Sequence, residues 1–296
     1  MSKSNRCGYI AIIGRPNVGK STLLNTILGK KISITTPKPQ TTRTQILGVK
    51  TTHAYQAIYI DTPGLHESEH RAMNRYMNRM ANAVIIDADV IVFMIEATRW
   101  DRDDELVLEK LKQTKAPVIL VINKVDELKD RAEVLPFIIK LKEKFNFTDI
   151  VPLSARQNDN VSALQELLVT FLPDGPNLFP NDQVTDKPLR FQIAELIREK
   201  VIQSTEQEVP YSTTVEIEQF EEKEKITEIS AIIWVERDGQ KPIVIGKNGE
   251  RLKHIGTLAR KDIQILVGGK VFLRLWVKVK DSWTDDERAL RSLGYE

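Results

Sequence analysis

At 296 residues, and roughly 150 per domain, the chain is long enough for two domains with separate cores. With 41% hydrophobic and 28% charged residues it excludes a disordered chain, and no apolar run approaches the ~18–20 residues of a membrane span, which excludes an integral membrane protein. A net charge of +2 neither favours nor excludes nucleic acid, and the single cysteine, Cys7, excludes intramolecular disulfides and a multi-cysteine zinc site. The polar start, Met1–Gly8, runs straight into an apolar strand, so no secretory signal is expected and the expected location is a reducing cytoplasm.

From the N-terminus, short β-branched runs alternate with longer periodic segments. Strands are expected at Tyr9–Ile13, Ala57–Ile60, Asp89–Ile95, Val118–Ile122 and Asp149–Pro152. Helices are expected at Lys20–Leu28, Asp103–Gln113, Leu135–Phe145 and Val161–Leu172. Such alternation implies right-handed βαβ units and a parallel-dominated sheet with helices on both faces. Three prolines and a glycine between Pro173 and Pro180 then break the pattern. Beyond them the order changes to a helix (Phe191–Ser204), two strands (Tyr211–Phe220 and Lys225–Glu236), two short helices around Gly246–Gly249 and a strand (Val271–Val279). The expected division is a first domain over 1–175, a linker over 176–189 and an α+β domain over 190–296.

Gly14-Arg15-Pro16-Asn17-Val18-Gly19-Lys20-Ser21, followed by Thr22, fits the phosphate-binding loop pattern between its strand and its helix. The glycines let backbone N–H groups fold around phosphate oxygens, and the helix N-terminus adds partial positive charge. Lys20 is placed to reach the β- and γ-phosphates and Ser21 to ligate Mg²⁺.

Asn123-Lys124-Val125-Asp126 follows a buried strand and selects guanine. The Asp126 carboxylate can accept from the ring N–H and exocyclic amine of guanine, whereas adenine offers neither donor there. Asn123 is expected to tie the loop together, the Lys124 stem to lie against the base, and Ser154-Ala155-Arg156 to complete the pocket through the Ala155 N–H. Asp61-Thr62-Pro63-Gly64 ends another strand, with Asp61 holding Mg²⁺ through water and the Gly64 N–H meeting the γ-phosphate. Upstream, Gln40-Thr41-Thr42-Arg43 lies in a polar stretch suited to closing over the nucleotide. Thr42 is the expected second protein ligand of Mg²⁺, with Thr41 as the alternate. The expected ligands are thus GTP, GDP and Mg²⁺.

These fragments resemble the translation-factor-like class of small GTPases. Leu65 stands where the Ras-like pattern has a water-orienting glutamine, and leucine makes no hydrogen bond. Hydrolysis must then use another group, a partner or a cation. In members of this hydrophobic-substituted group a P-loop asparagine holds potassium, so the resemblance implies a K⁺ role for Asn17.

The second half contains Ile245-Gly246-Lys247-Asn248-Gly249, followed by Arg251, Leu252, Lys253 and Ile255. Residues 241–280 carry ten Lys/Arg against two acids, and residues 195–228 carry four against ten. The loop resembles the GXXG loop of KH domains, which clamps about four single-stranded nucleotides. The order α-β-β-α-α-β matches the type II arrangement. Residues 245–249 with Arg251 and Lys253 are therefore the expected RNA contacts, and no DNA partner is expected. Trp234 and Trp276 are read as core or sheet-face residues, Cys7 as an inert thiol, and the segment from Trp283 as an edge cap.

An α/β P-loop GTPase domain joined to one type II KH domain resembles the Era family over nearly the whole chain. The resemblance implies a factor that binds 16S rRNA near its 3′ end and assists 30S subunit assembly, cytoplasmic with peripheral inner-membrane association. Two other readings stay open: a nucleotide-gated RNA-binding module with incidental hydrolysis, and a GTPase whose KH-like domain docks protein.

Overall fold

The computed structural model describes residues 5–64, 71–206 and 209–295. They form two compact units.

The first unit is built on a six-stranded sheet. In chain order its elements are β1 (Arg6–Ile13), α1 (Lys20–Leu28), β2 (Ile46–Thr51), β3 (Tyr55–Asp61), α2 (Ala72–Asp87), β4 (Val90–Glu96), α3 (Arg102–Leu111), β5 (Val118–Asn123), α4 (Val134–Lys142), β6 (Asp149–Pro152) and α5 (Val161–Val169). The strand order is β2-β3-β1-β4-β5-β6. Every pairing is parallel except that of β2 with β3. Strands covered on both faces need apolar residues at every position, and β4 and β5 supply them. Ile91, Phe93, Ile95, Leu120 and Ile122 pack with Val107, Leu108 and Leu111 of α3. The intervening Val92, Met94, Ile119 and Val121 point to the other face and are equally buried.

Two elements, β2 and α2, lie outside the expected pattern. The apolar stripe of α2 is Met73, Tyr76, Met77, Ala81, Val84 and Ile85, all buried, a helical spacing built largely from methionine, tyrosine and alanine. The stretch expected as a linker runs along the sheet as far as Asp186. The Val49 N–H donates to Val184 O at 2.8 Å, and Gln56 exchanges hydrogen bonds with the backbone of Leu178 and Phe179.

The second unit holds α6 (Leu189–Ser204), β7 (Thr213–Glu222), β8 (Thr227–Val235), α7 (Gln240–Ile245), α8 (Glu250–Val267), β9 (Val271–Val279) and α9 (Glu287–Ser292). Its sheet order is β7-β8-β9, antiparallel then parallel. The expected pair of short helices is corrected: α7 has 6 residues, but α8 runs for 18. Ile255, Ala259 and Ile263 recur every four residues along α8 and join Ile193, Ile197 and Val201 of α6 over the strands. Ile34–Thr41 and residues 71–73 group with this unit. Within it, the Arg198 guanidinium donates to Thr41 O at 2.5 Å, and the Thr35 N–H donates to Glu199 Oε1 at 3.0 Å. Trp283 is fully buried, stacks on Tyr295 and donates to Ser212 O, whereas Trp276 stands 41% exposed on the sheet. Trp234 is half-buried and donates to Glu216, and Cys7, in the first unit, is buried.

Candidate nucleotide site and RNA-binding loop

Parallel strands present their C-terminal ends along one edge, and β1, β3, β4, β5 and β6 each deliver a segment of the candidate site there. After β1 the backbone turns through Gly14 and reaches Gly19 at φ +105°, from which α1 starts. A Cβ at Gly19 would lie 2.3 Å from Asn123 Nδ2, so only glycine lets the two loops meet. Val18 is buried and Thr22 half-buried on α1, while Asn17, at φ +65°, is exposed. Lys20 is buried, with Nζ donating to Gly14 O and Arg15 O at 2.9 Å each. Burial lowers its pKa to about 8, against the charge of Asp61, which raises it.

Beneath Lys20 lies a cluster of hydroxyls around one carboxylate. Ser21 Oγ donates to Asp61 Oδ2 at 2.7 Å and lies 2.8 Å from Thr42 Oγ1. Ser33 Oγ donates to the same oxygen at 2.9 Å, and Thr42 Oγ1 is 3.5 Å from it. Asp61 is fully buried, and its Oδ1 makes no hydrogen bond. Burial pushes its carboxyl pKa up, opposed by the Ser21 hydrogen bond and the Lys20 charge. A hard divalent cation suits this donor set of hydroxyls and one carboxylate with a spare oxygen. The two candidate threonines sit differently: Thr42 adjoins Ser21, whereas the Thr41 hydroxyl donates to Lys38 O within the second unit. Thr62 bonds Ile12 O at 3.0 Å, and Pro63 and Gly64 are buried, with Gly64 against Pro16. Leu65 lies outside the described residues, as do His66 and His70.

Asn123 joins three segments. Its Nδ2 donates to Val18 O at 2.7 Å, and its Oδ1 accepts from the Ala155 N–H at 2.9 Å. The Ala155 N–H, expected to meet a base carbonyl, is thus given to Asn123. Lys124 has φ +65°, and its Nζ sits 3.2 Å from Glu96 Oε1. Val125 is buried and Asp126 half-buried in the turn Val125–Glu127. Ser154 is buried and accepts from the Gln157 N–H, whereas Arg156 is exposed. The Arg15 side chain turns to carboxylates instead: Glu96 at 2.8 Å, Asp104 at 3.2 Å and Asp101 at 3.4 Å. Burial drives the Asp104 pKa up to about 6, although the Asp101 N–H and Arg15 oppose it. Ser33, Glu96, Asp101 and Asp104 are not legible as site residues in the sequence, because no spacing in the chain links them to the loops they contact.

In the second unit Gly246, at φ +74°, ends α7, and Gly249, at φ +78°, begins α8. A Cβ at Gly246 would strike Arg251 Cβ at 2.7 Å, whereas Gly249 faces open space. Ile245 packs on the core, while Lys247, Asn248, Arg251 and Lys253 are exposed. The Arg251 guanidinium donates to Ile243 O, which fixes the end of α7.

Residues 9–124 match the family model described as a 50S ribosome-binding GTPase, and residues 208–284 match the KH domain model. The GTPase Era of Pseudomonas fluorescens is 54% identical over 99% of this chain and 98% of its own. That of Haemophilus influenzae is 57% identical over 98% and 96%. The chain belongs to the Era GTPase family. It is accordingly a P-loop GTPase with a C-terminal KH domain. Two solved Era structures superpose with a TM-score of 0.95 at 42% identity, covering 98% of this chain and 99% of theirs. One is a point variant of Aquifex aeolicus Era bound to GDP·AlF4⁻; the other is Era with MgGDPNP and nucleotides 1506–1542 of 16S rRNA. Among the described residues no helix is long and apolar enough to cross a membrane, and no group of three or more His, Cys, Asp or Glu side chains is placed to hold a metal.

Proposed function

We propose that this chain is a GTP-hydrolysing switch that binds 16S rRNA near its 3′ end and assists assembly of the 30S subunit. The observation that carries the nucleotide half is the joining of Val18, Asn123 and Ala155, which brings the phosphate loop and the base loops into one site. Asp126 is the guanine-reading carboxylate of that site. Ser21 and Thr42 hold Mg²⁺, and Asp61 holds it through water, as the hydroxyl cluster and the spare Asp61 oxygen support. Mg²⁺ neutralises charge on the β- and γ-phosphates when bound. Lys20 supplies a second positive charge, and the Gly64 N–H a donor to the γ-phosphate. Asn17, exposed on the P-loop, would hold K⁺.

The RNA half rests on the exposed Lys247 and Asn248 between the two glycines, with Lys253 one turn along α8. A relative bound to 16S rRNA nucleotides 1506–1542 supports the choice of RNA. The same reading places the protein in the cytoplasm, with the peripheral membrane contact implied by the family. The deciding experiment measures affinity for an rRNA 3′-end fragment with GTP analogue, with GDP and without nucleotide, and GTP turnover with and without that RNA. Nucleotide-dependent affinity and RNA-stimulated turnover are expected. Affinity that changes while turnover does not would leave a gated RNA-binding module, and no RNA binding would leave a protein-docking domain.

A further inference from the structure

Glu96 is the last residue of β4 and pairs in register with Asn123, the last residue of β5. The Ala97 N–H donates to Asn123 O at 2.8 Å, so the end of β4 also fixes the main chain of the guanine loop. The two carboxylate oxygens of Glu96 point to different loops. Oε2 meets Arg15 Nη2 of the phosphate loop at 2.8 Å, and Oε1 meets Lys124 Nζ at 3.2 Å. The Glu96 side chain is 21% exposed and that of Arg15 7%, so solvent screening of these contacts is much reduced. Asp104, fully buried, and Asp101 hold the Nε side of the same guanidinium. Burial raises the Glu96 pKa, but the Arg15 and Lys124 hydrogen bonds outweigh it and leave the carboxyl below its ordinary value.

We propose that Glu96 is a positioning residue of the nucleotide site, a two-ended carboxylate that locks the phosphate loop at Arg15 to the base loop at Lys124. The proposal rests on reading Asn123–Asp126 as the guanine loop. It gives Arg15 a role different from phosphate contact: its side chain anchors the loop, and its backbone carbonyl accepts from Lys20. Held by Glu96, the Lys124 stem has one direction, along the face that a bound purine presents. Neither end of the bridge reads the exocyclic amine of guanine. Loss of Glu96 must therefore weaken purine nucleoside diphosphates and triphosphates by the same factor.

The test compares full-length wild type with Glu96→Ala and the isosteric Glu96→Gln, titrated with GTP, GDP and inosine triphosphate. Loss of charge-assisted hydrogen bonds at both ends predicts affinity about ten- to a hundredfold weaker for Glu96→Ala, equal across the three nucleotides, with Glu96→Gln between it and wild type. A double-mutant cycle with Lys124→Met must be non-additive, the second change costing less once Glu96 is gone. Wild-type affinities in both Glu96 variants would overturn the proposal. So would a loss that is strictly additive with Lys124→Met, because a merely structural role predicts that additivity. If Glu96→Ala does not fold, Glu96→Gln and its own cycle with Lys124→Met decide. Failure of the guanine-loop reading is seen separately, as an Asp126→Asn variant whose base preference does not change.

Discussion

The Asn123 side chain donates to Val18 O at 2.7 Å, and so clasps the phosphate loop from the strand end that begins the guanine loop. Its other atom, Oδ1, accepts from Ala155 at 2.9 Å, and all three groups are buried. Two buried hydrogen bonds to one side chain make Asn123 the joint between the loop after β1 and the loop after β6, the two loops proposed to bind phosphate and base. Truncation leaves a carbonyl and an N–H without partners. Asn123→Ala is expected to weaken GTP and GDP about ten- to a hundredfold, as the cost of unpaired buried groups implies. A fluorescent-nucleotide titration checks this, and unchanged affinity would remove Asn123 from that role.

Base selection is a matter of donors and acceptors. Asp126→Asn exchanges an acceptor carboxylate for an amide whose N–H₂ can donate to the 2-oxo group of xanthine. The variant should lose GTP and gain xanthosine triphosphate. Parallel titrations with both nucleotides give the answer, and a variant that keeps its preference for GTP would place Asp126 outside the pocket.

The Lys20 ammonium carries a pH signature. Its pKa in the free protein is about 8, lowered chiefly by burial. Phosphates arriving beside it favour the charged form and raise that value. At pH 8.5 the free protein has released roughly three quarters of the proton, so binding GTP takes up roughly three quarters of a proton, and close to none at pH 7. Affinity must therefore fall as pH rises through 8. For the ligand-free fold the sign is opposite: the penalty for burying a charged Lys20 is fully present below pH 8 and is relieved as pH rises. Calorimetry in two buffers of different ionisation enthalpy reads the uptake directly, and heats that do not depend on buffer at pH 8.5 would count against the lowered pKa.

The site is legible in the sequence where its residues are contiguous and sit at strand ends. Residues 14–21, 61–64 and 123–126 each read as a unit because a strand, a turn and a chemical task coincide within a few positions. Ser33 and Glu96 carry no such mark. Ser33 reaches Asp61 across 28 positions, and Glu96 reaches Arg15 across 81. Pairings of that kind are set by strand order, which the chain does not spell out. The fold shows the same division. β4 and β5 declare themselves as unbroken apolar runs, whereas α2 buries methionines and alanines among asparagines and arginines. In α8, Gly256 and the pair Arg260-Lys261 interrupt a stripe that is nonetheless continuous through Ile255, Ala259 and Ile263.

Potassium dependence follows from the proposed part of Asn17. Its backbone is held at φ +65° with the side chain exposed, and Leu65 in the sequence offers no group to orient water. A monovalent ion held by Asn17 would supply positive charge of the kind an arginine finger gives elsewhere. Turnover should be faster in potassium than in sodium at matched ionic strength, and Asn17→Ala should abolish the difference. Equal wild-type rates in the two salts would count against the cation.

The reading of Gly246–Gly249 as the RNA-binding loop is tested by charge. Lys247 and Asn248 are exposed between Gly246 and Gly249, and Asn248, at φ +53°, already holds a left-handed backbone that aspartate also tolerates. Changing both to Asp therefore puts negative charge against a nucleic-acid backbone with little strain in the loop. Affinity for an rRNA 3′-end fragment should fall at least tenfold at every salt concentration. The slope of log affinity against log salt should flatten by about one, because one fewer counterion is released when the Lys247 contact is lost. Thermal unfolding of the variant separates a damaged domain from a damaged contact, since the substituted side chains face solvent and should move the midpoint little. RNA-stimulated turnover should vanish together with binding. A folded double variant that holds the fragment as tightly as wild type, with an unchanged salt slope, would show that Gly246–Gly249 is an ordinary turn between α7 and α8, and that RNA, if bound at all, is held elsewhere.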